Sequence, residues 1–318
     1  MHEKIRTLLP VTKSMIREVK KVVVGKDETI VKILLAMLAG GHILIEDIPG
    51  VGKTTMALAI SKAFHLKHNR MQFTADVLPA DVTGFSVFNK ASGKFEYQPG
   101  VAMCNLFLAD EINRTSPKTQ SALLEVMEES QITVDGVTHE LPKPFLVIAT
   151  QNPIGSAGTQ MLPESQLDRF MIKLTMGYPD LSSEAHMLKS RHNAEPMDSV
   201  KCVAEETDIV ALQQLVDQIY VDDRIYEYIA SLAAATRIHP MVRLGVSPRG
   251  SLALCSIAKA TALLRSRDYV IPEDVTFMLN DVFEHRILLN AKARIASCTV
   301  GQVIDDILAS TKVPDLGV

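Results

Sequence analysis

The chain has 318 residues and a net charge of −4, with 47% hydrophobic and 22% charged residues. This is ordinary for a soluble globular protein and long enough for two domains. The mild acidic balance makes nucleic acid or an anionic membrane an unexpected partner, although local basic clusters stay open. The longest apolar stretches, near 30–39 and 251–264, are broken by Lys32 and Lys259. No apolar signal core follows Met1-His2-Glu3-Lys4, so a cytoplasmic protein without membrane insertion is expected.

Helical spacing of Val11, Met15, Ile16 and Val19 predicts a helix over 11–21, ended by Val22-Val23-Val24-Gly25. Asp27 is the expected N-cap of a second helix carrying Ile30, Ile33, Leu34, Met37 and Leu38 on one face. The apolar run Ile43-Leu44-Ile45 then reads as a buried strand. Pro49, Gly50, Val51 and Gly52 break it, and after Lys53-Thr54-Thr55 an Ala-rich helix begins. Strand, glycine-bearing loop, Lys-Thr and helix is the context of a phosphate-binding P-loop. Glycines let backbone N–H groups face phosphate oxygens, and the helix N-terminus adds positive potential. Lys53 can reach the outer phosphates, and Thr54 can ligate Mg2+. The general pattern puts a glycine where this chain has Asp47, a residue type that tolerates left-handed backbone.

A second strand is expected over 70–74, then a turn and short helix over 78–84. Alternation over 85–100 predicts a hairpin with its tip at Gly93, serving either structure or binding. Leu106-Phe107-Leu108-Ala109 is an apolar strand ending in Asp110-Glu111. Beside a P-loop this acid pair reads as a Walker B element, with Asp110 holding magnesium and Glu111 activating the attacking water. A helix over 116–130 is signalled by Ser116 as cap and Pro117 in the first turn. A hairpin over 131–141 turns at Asp135-Gly136. Another buried strand, 145–150, leads to Asn152, which can bond a γ-phosphate or the lytic water, or form an Asx-turn before Pro153. Gly155 to Gly158 reads as flexible, and 171–174 as the last strand. The domains expected are a core over 1–180 and a helical unit over 181–318, with helices at 182–193, 208–218, 222–237, 247–266, 272–283 and about 301–310. Arg249 opens one of these helices, and taken alone would be a surface arginine.

Cys104, Cys202, Cys255 and Cys298 form no C-x-x-C pair, so buried free thiols in a reducing compartment are expected. His65 and His68 read as ordinary residues on the helix after the P-loop, with no cysteine or third ligand near them in sequence.

In order, Gly50-Val51-Gly52-Lys53-Thr54, Asp110-Glu111, Asn152, Leu167-Asp168-Arg169-Phe170 and Ser247-Pro248-Arg249 resemble the signatures of AAA+ ATPases. Asp47-Ile48-Pro49-Gly50-Val51-Gly52-Lys53-Thr54-Thr55, Ala109-Asp110-Glu111-Ile112-Asn113-Arg114, Leu162 to Phe170 and Gly245-Val246-Ser247-Pro248-Arg249 are similar to those of the MoxR family, where Asp47 is ordinary. The resemblance implies an α/β fold, a P-loop AAA+ αβα sandwich with a parallel sheet, followed by a smaller all-α lid domain. It implies ATP/ADP and Mg2+ as cofactors, with Thr54 and Asp110 at the metal. Val23, Val24 and Gly25 would lie by the adenine. Asn152 would be sensor 1, and Arg249 sensor 2, reaching the γ-phosphate from the lid. Arg169 would be an arginine finger acting on a neighbouring subunit, with Arg114 as second choice. Hairpins 85–97 and 131–141 would face the pore of a homo-oligomer, a hexameric ring. The implied function is ATP hydrolysis driving chaperone-like assembly or activation of a client, often with a von Willebrand factor A domain partner. The alternatives are a nucleotide-gated scaffold with incidental hydrolysis, and a chelatase-type or nucleic-acid motor subunit.

Overall fold

The computed structural model of the chain describes residues 2–48, 50–152, 162–190 and 196–315; the Gly155–Gly158 segment lies outside the described residues. The chain opens with α1 (His2–Lys20) and α2 (Asp27–Leu38). Asp27 is not the cap of α2: Lys26 takes that position, and Asp27 in the first turn pairs with Lys20 at 2.5 Å. The core continues through β1 (Ile43–Glu46), α3 (Lys53–Ala63), β2 (His68–Gln72) and α4 (Pro79–Thr83). A hairpin follows, β3 (Gly84–Asn89) with β4 (Lys94–Pro99), then β5 (Leu106–Asp110) and α5 (Pro117–Glu129). A second hairpin, β6 (Gln131–Val134) with β7 (Val137–Glu140), precedes β8 (Leu146–Gln151), α6 (Glu164–Leu167) and β9 (Ile172–Leu174).

Strands β2, β5, β8, β1 and β9 form one parallel sheet in that order. Its strands alternate between two cores, because successive side chains point to opposite faces. Ile43, Ile45, Leu106, Leu108, Leu146 and Ile148 join α1–α3 in one core. Leu44, Phe107, Ala109, Val147 and Ala149 join α5 residues Leu123, Leu124 and Val126 in the other. Ser116 caps α5 as its composition suggests: the hydroxyl accepts from the Thr119 N–H, and Pro117 occupies the first turn. The two hairpins touch, with the Tyr97 and His139 rings stacked at 3.8 Å and 13°.

The helical part of the chain, expected to be the lid, holds α7 (Leu181–Ser190), α8 (Glu206–Asp217), α9 (Asp223–Ile238), α10 (Pro248–Leu264), α11 (Pro272–Phe283), α12 (Ala291–Ile295) and α13 (Val300–Ser310). It is not wholly helical. β10 (Val242–Leu244) pairs antiparallel with β11 (Leu288–Leu289), and strands this short leave no periodicity to read. The first core continues unbroken from the sheet through α2 into α8, α10 and α11, so core and lid share one apolar interior. Several ion pairs cross the same boundary, two of them with little exposure. Lys32 meets Asp281 at 2.8 Å, and Arg286, 2% exposed in its side chain, meets Asp168 at 2.7 Å.

Other expectations are corrected. Of the four cysteines only Cys104 is buried; Cys202 is exposed, Cys255 and Cys298 intermediate. His65 and His68 are not on a helix: α3 ends at Ala63, His65 sits in a turn at φ 48, and His68 opens β2.

Candidate active site

β1 ends where the sheet order places it between β8 and β9, and the P-loop begins at its carboxyl end, the usual ligand crevice of an open parallel sheet. Gly50 and Gly52 take φ 86 and φ 95, left-handed values that a side chain would oppose. Gly52 is the N-cap of α3, which carries no acid in its first turn, so its first N–H groups are left for an anion. The Lys53 Nζ donates to the carbonyls of Asp47 at 2.9 Å and Ile48 at 3.3 Å, folding back over the loop. Burial lowers the Lys53 pKa, and Asp47, Asp110 and Glu111 oppose that shift.

Asp47 does not adopt left-handed backbone. Its buried carboxylate instead accepts N–H groups from Ile48 (2.8 Å), Met176 (2.6 Å) and Gly177 (2.7 Å), tying the P-loop to the segment that leads into the lid.

A cavity of about 600 Å³ lies over this loop. Gly50, Val51, Gly52, Lys53, Thr54 and Thr55 line it with Asp110, Glu111, Thr150 and Asn152. Apolar walls come from Val22, Val23, Val24, Tyr178, Pro179 and Met187, suited to a flat base. Pro49 lies outside the described residues. Gly25 does not line the cavity: at φ 72 it packs on α7, where an added Cβ would fall 2.3 Å from the Ser183 hydroxyl.

The acid pair is shaped by a sharp turn. Glu111 takes φ 57 and ψ 48, an uncommon conformation for a non-glycine residue and one that gathers at functional sites. The turn lets the Glu111 N–H donate to the Thr150 hydroxyl at 2.9 Å. It brings the carboxylate to the Asn152 amide at 2.9 Å and to the Arg114 guanidinium at 2.7 Å. Burial raises the Glu111 pKa, but the Arg114 and Asn152 bonds and the Lys53 charge outweigh it, so the carboxylate stays ionised below its usual range. Ionised and held at both oxygens, it can orient a water and accept its proton. Asp110, 5% exposed, accepts from Thr150 at 3.3 Å and meets Arg70 at 2.7 Å. A threonine hydroxyl at Thr54 and a buried carboxylate at Asp110 are hard oxygen donors that fit Mg2+, and Arg70 already sets a positive charge against that carboxylate.

The predicted arginines take two places. Arg114 is bound to Glu111 of its own chain. Arg169 and Arg249 do not line the cavity. They converge on Glu128 of α5, at 2.9 Å and 3.2 Å, and Arg169 also donates to the Leu124 carbonyl. Arg249 thus faces Glu128 instead of the cavity lining. Arg70, Gln72, Tyr178 and Met187 enter the site without having been singled out. Their only sequence signal was position, on a strand beside the Walker B strand or at the domain boundary.

This fold and site define a nucleotide-binding AAA module with its lid. Residues 42–172 match the family described as "ATPase family associated with various cellular activities (AAA)", and residues 234–307 match the AAA lid domain. The chain is 47% identical to YeaC of Bacillus subtilis, an uncharacterized protein, over 96% of both chains. It is 36% identical to "Chaperone MoxR1" of Mycobacterium tuberculosis, over 94% of this chain and 81% of the other. A crystal structure from Cytophaga hutchinsonii, presented as that of a candidate ATPase, superposes with a TM-score of 0.91 at 37% identity over 98% of both chains. The chain belongs to the MoxR family of AAA+ ATPases.

Proposed function

We propose that the chain hydrolyses ATP to ADP and phosphate and uses the cycle to remodel, assemble or activate a partner protein. The observation that carries this reading is Glu111. It is an ionised carboxylate at the mouth of a P-loop cavity, fixed by Asn152 and Arg114 and ready to take a proton from water. Lys53 and the α3 N-terminus would hold the phosphate chain, and Val23, Val24 and Tyr178 the base. Thr54 and Asp110 are the residues that would hold Mg2+, which when bound offsets phosphate charge. Asn152 would keep Glu111 from swinging away from the attacking water.

The ring arrangement is part of the same proposal. The pairing of Arg169 and Arg249 at Glu128, outside their own cavity, supports a trans role in which both face a neighbour's nucleotide. The name carried by the mycobacterial relative supports a protein client. A von Willebrand factor A domain partner is what the resemblance implies, and a cytoplasmic setting is read from the spacing of the cysteines. Among the described residues no helix is long and apolar enough to cross a membrane.

The test is Glu111→Gln in the full chain. Hydrolysis should fall by at least about a hundredfold, the scale of a lost general base, while nucleotide binding persists. Turnover near wild type in that variant would remove Glu111 from the mechanism.

A further inference from the structure

His65, Cys202 and Glu205 meet on the surface, and none of them lines the nucleotide cavity. Their ligand atoms, a ring nitrogen, a thiol sulfur and a carboxylate oxygen, all lie within 4.8 Å of one another. The separations are informative. Glu205 Oε1 is 3.3 Å from His65 Nδ1 and 3.8 Å from Cys202 Sγ. A tetrahedral ion about 2.1 Å from nitrogen and oxygen and about 2.3 Å from sulfur requires edges of roughly 3.4 Å and roughly 3.6 Å. One carboxylate oxygen thus already stands near both distances. All three side chains are exposed, so the sulfur and the ring have the freedom to close the remaining edge.

The backbone keeps the three together. Val203 N–H donates to the Ala63 carbonyl at 2.9 Å, and Lys62 Nζ donates to the Met197 carbonyl at 2.8 Å, strapping the 197–203 segment to the end of α3. The left-handed turn at His65 aims its ring at this strap. Asp208, in the first turn of α8, binds the Glu205 N–H at 2.9 Å and fixes the start of that helix.

We propose that His65, Cys202 and Glu205 form a binding site for a zinc-class divalent cation, with the fourth position open to water. Thiolate and imidazole select such an ion over magnesium. On binding, the thiol proton leaves to solvent and a metal–sulfur bond forms with no change of oxidation state. The ion would join the carboxyl end of α3, whose other end is the P-loop, to the strap leading into α8.

The test is alkylation of Cys202 by iodoacetamide in the full, untagged, nucleotide-free chain, read by mass spectrometry, with Zn2+ alone as the probe. In wild type, Zn2+ should slow Cys202 alkylation at least tenfold. The protection should vanish in H65N, which keeps a residue suited to left-handed backbone, and in E205Q. One equivalent of Co2+ should give a thiolate-to-metal charge-transfer band that is lost in C202S. Alkylation indifferent to Zn2+, protection that survives both variants, or a band that persists in C202S would each overturn the assignment.

Discussion

Arg70 Nε stands 2.7 Å from the Oδ2 of Asp110, so the carboxylate that would hold a magnesium ion is already faced by a cation from the neighbouring strand. Arg70 is half exposed, and such a pair contributes on the order of 1 kcal/mol or less. Arg70→Ala should therefore lower the Mg2+ concentration for half-maximal ATPase activity by up to about fivefold. A Mg2+ titration showing an unchanged or raised midpoint would mean that Arg70 does not compete at Asp110.

The Asn152 amide donates to Glu111 at 2.9 Å. Asn152→Ala should cut kcat by roughly ten- to a hundredfold, a part of the span general-base catalysis covers, while nucleotide Kd changes little. Steady-state turnover beside a fluorescent-nucleotide titration separates the two. A large loss of affinity would move Asn152 to the phosphates.

Asp47 serves three backbone donors at once. Asp47→Ala leaves them without their acceptor and should lower unfolding stability by about 3 kcal/mol, since a buried unsatisfied donor costs about 1–3 kcal/mol. Asp47→Asn keeps an acceptor oxygen and should recover part of the loss. Denaturant midpoints for the pair give the answer, and an unperturbed Ala variant would show that the three bonds are dispensable.

His42 is buried and neutral, accepting from the Val147 N–H at Nδ1 and facing the Met127 carbonyl at Nε2. Burial pushes its pKa down to about 4. The unfolded chain binds this proton below about pH 6.5 and the folded chain does not, so stability is full above that pH and declines as pH falls toward 4. The decline should be on the order of 3 kcal/mol, with buried His285, also lowered by burial, acting in the same direction. Urea midpoints between pH 7 and pH 4 should show a steeper slope for wild type than for His42→Asn.

Arg169 and Arg249 share Glu128 on a partly exposed face, so Arg169→Ala should leave the unfolding midpoint within about 1 kcal/mol. If the face meets a neighbouring subunit, ATPase activity per chain rises with protein concentration in wild type and the variant abolishes that rise. A flat profile in wild type, at concentrations where assembly is incomplete, would make the site self-contained.

Much of this arrangement was legible because its signals are local. Gly50 and Gly52 mark the loop, Asp110-Glu111 end an apolar strand, Ser116-Pro117 open α5, and Asp135-Gly136 turn a hairpin, each within a few residues. What stayed hidden depends on contacts between distant parts of the chain. Asp47 was read for its backbone, whereas its side chain matters through Met176 and Gly177. The use of Glu128 by two arginines depends on α5, the segment just after α6 and the start of α10 coming together. His65 had no partner in sequence, yet Cys202 and Glu205 fold onto it. The β10–β11 pair is set by packing alone, since two or three residues carry no period.

The apolar interior that runs from the sheet through α2 into α10 and α11 limits how the molecule can move. Two lobes joined by a thin strap can swing apart, but here a wide opening would strip Ile33, Leu254 and Val275 from their packing and expose them to water. Well-packed interfaces yield by small slides between discrete arrangements. Nucleotide-driven displacement of α10 and α11 should therefore be a short shear against α2, small enough to keep the Lys32–Asp281 and Arg286–Asp168 pairs. Calorimetry should then record a single melting transition for the whole chain.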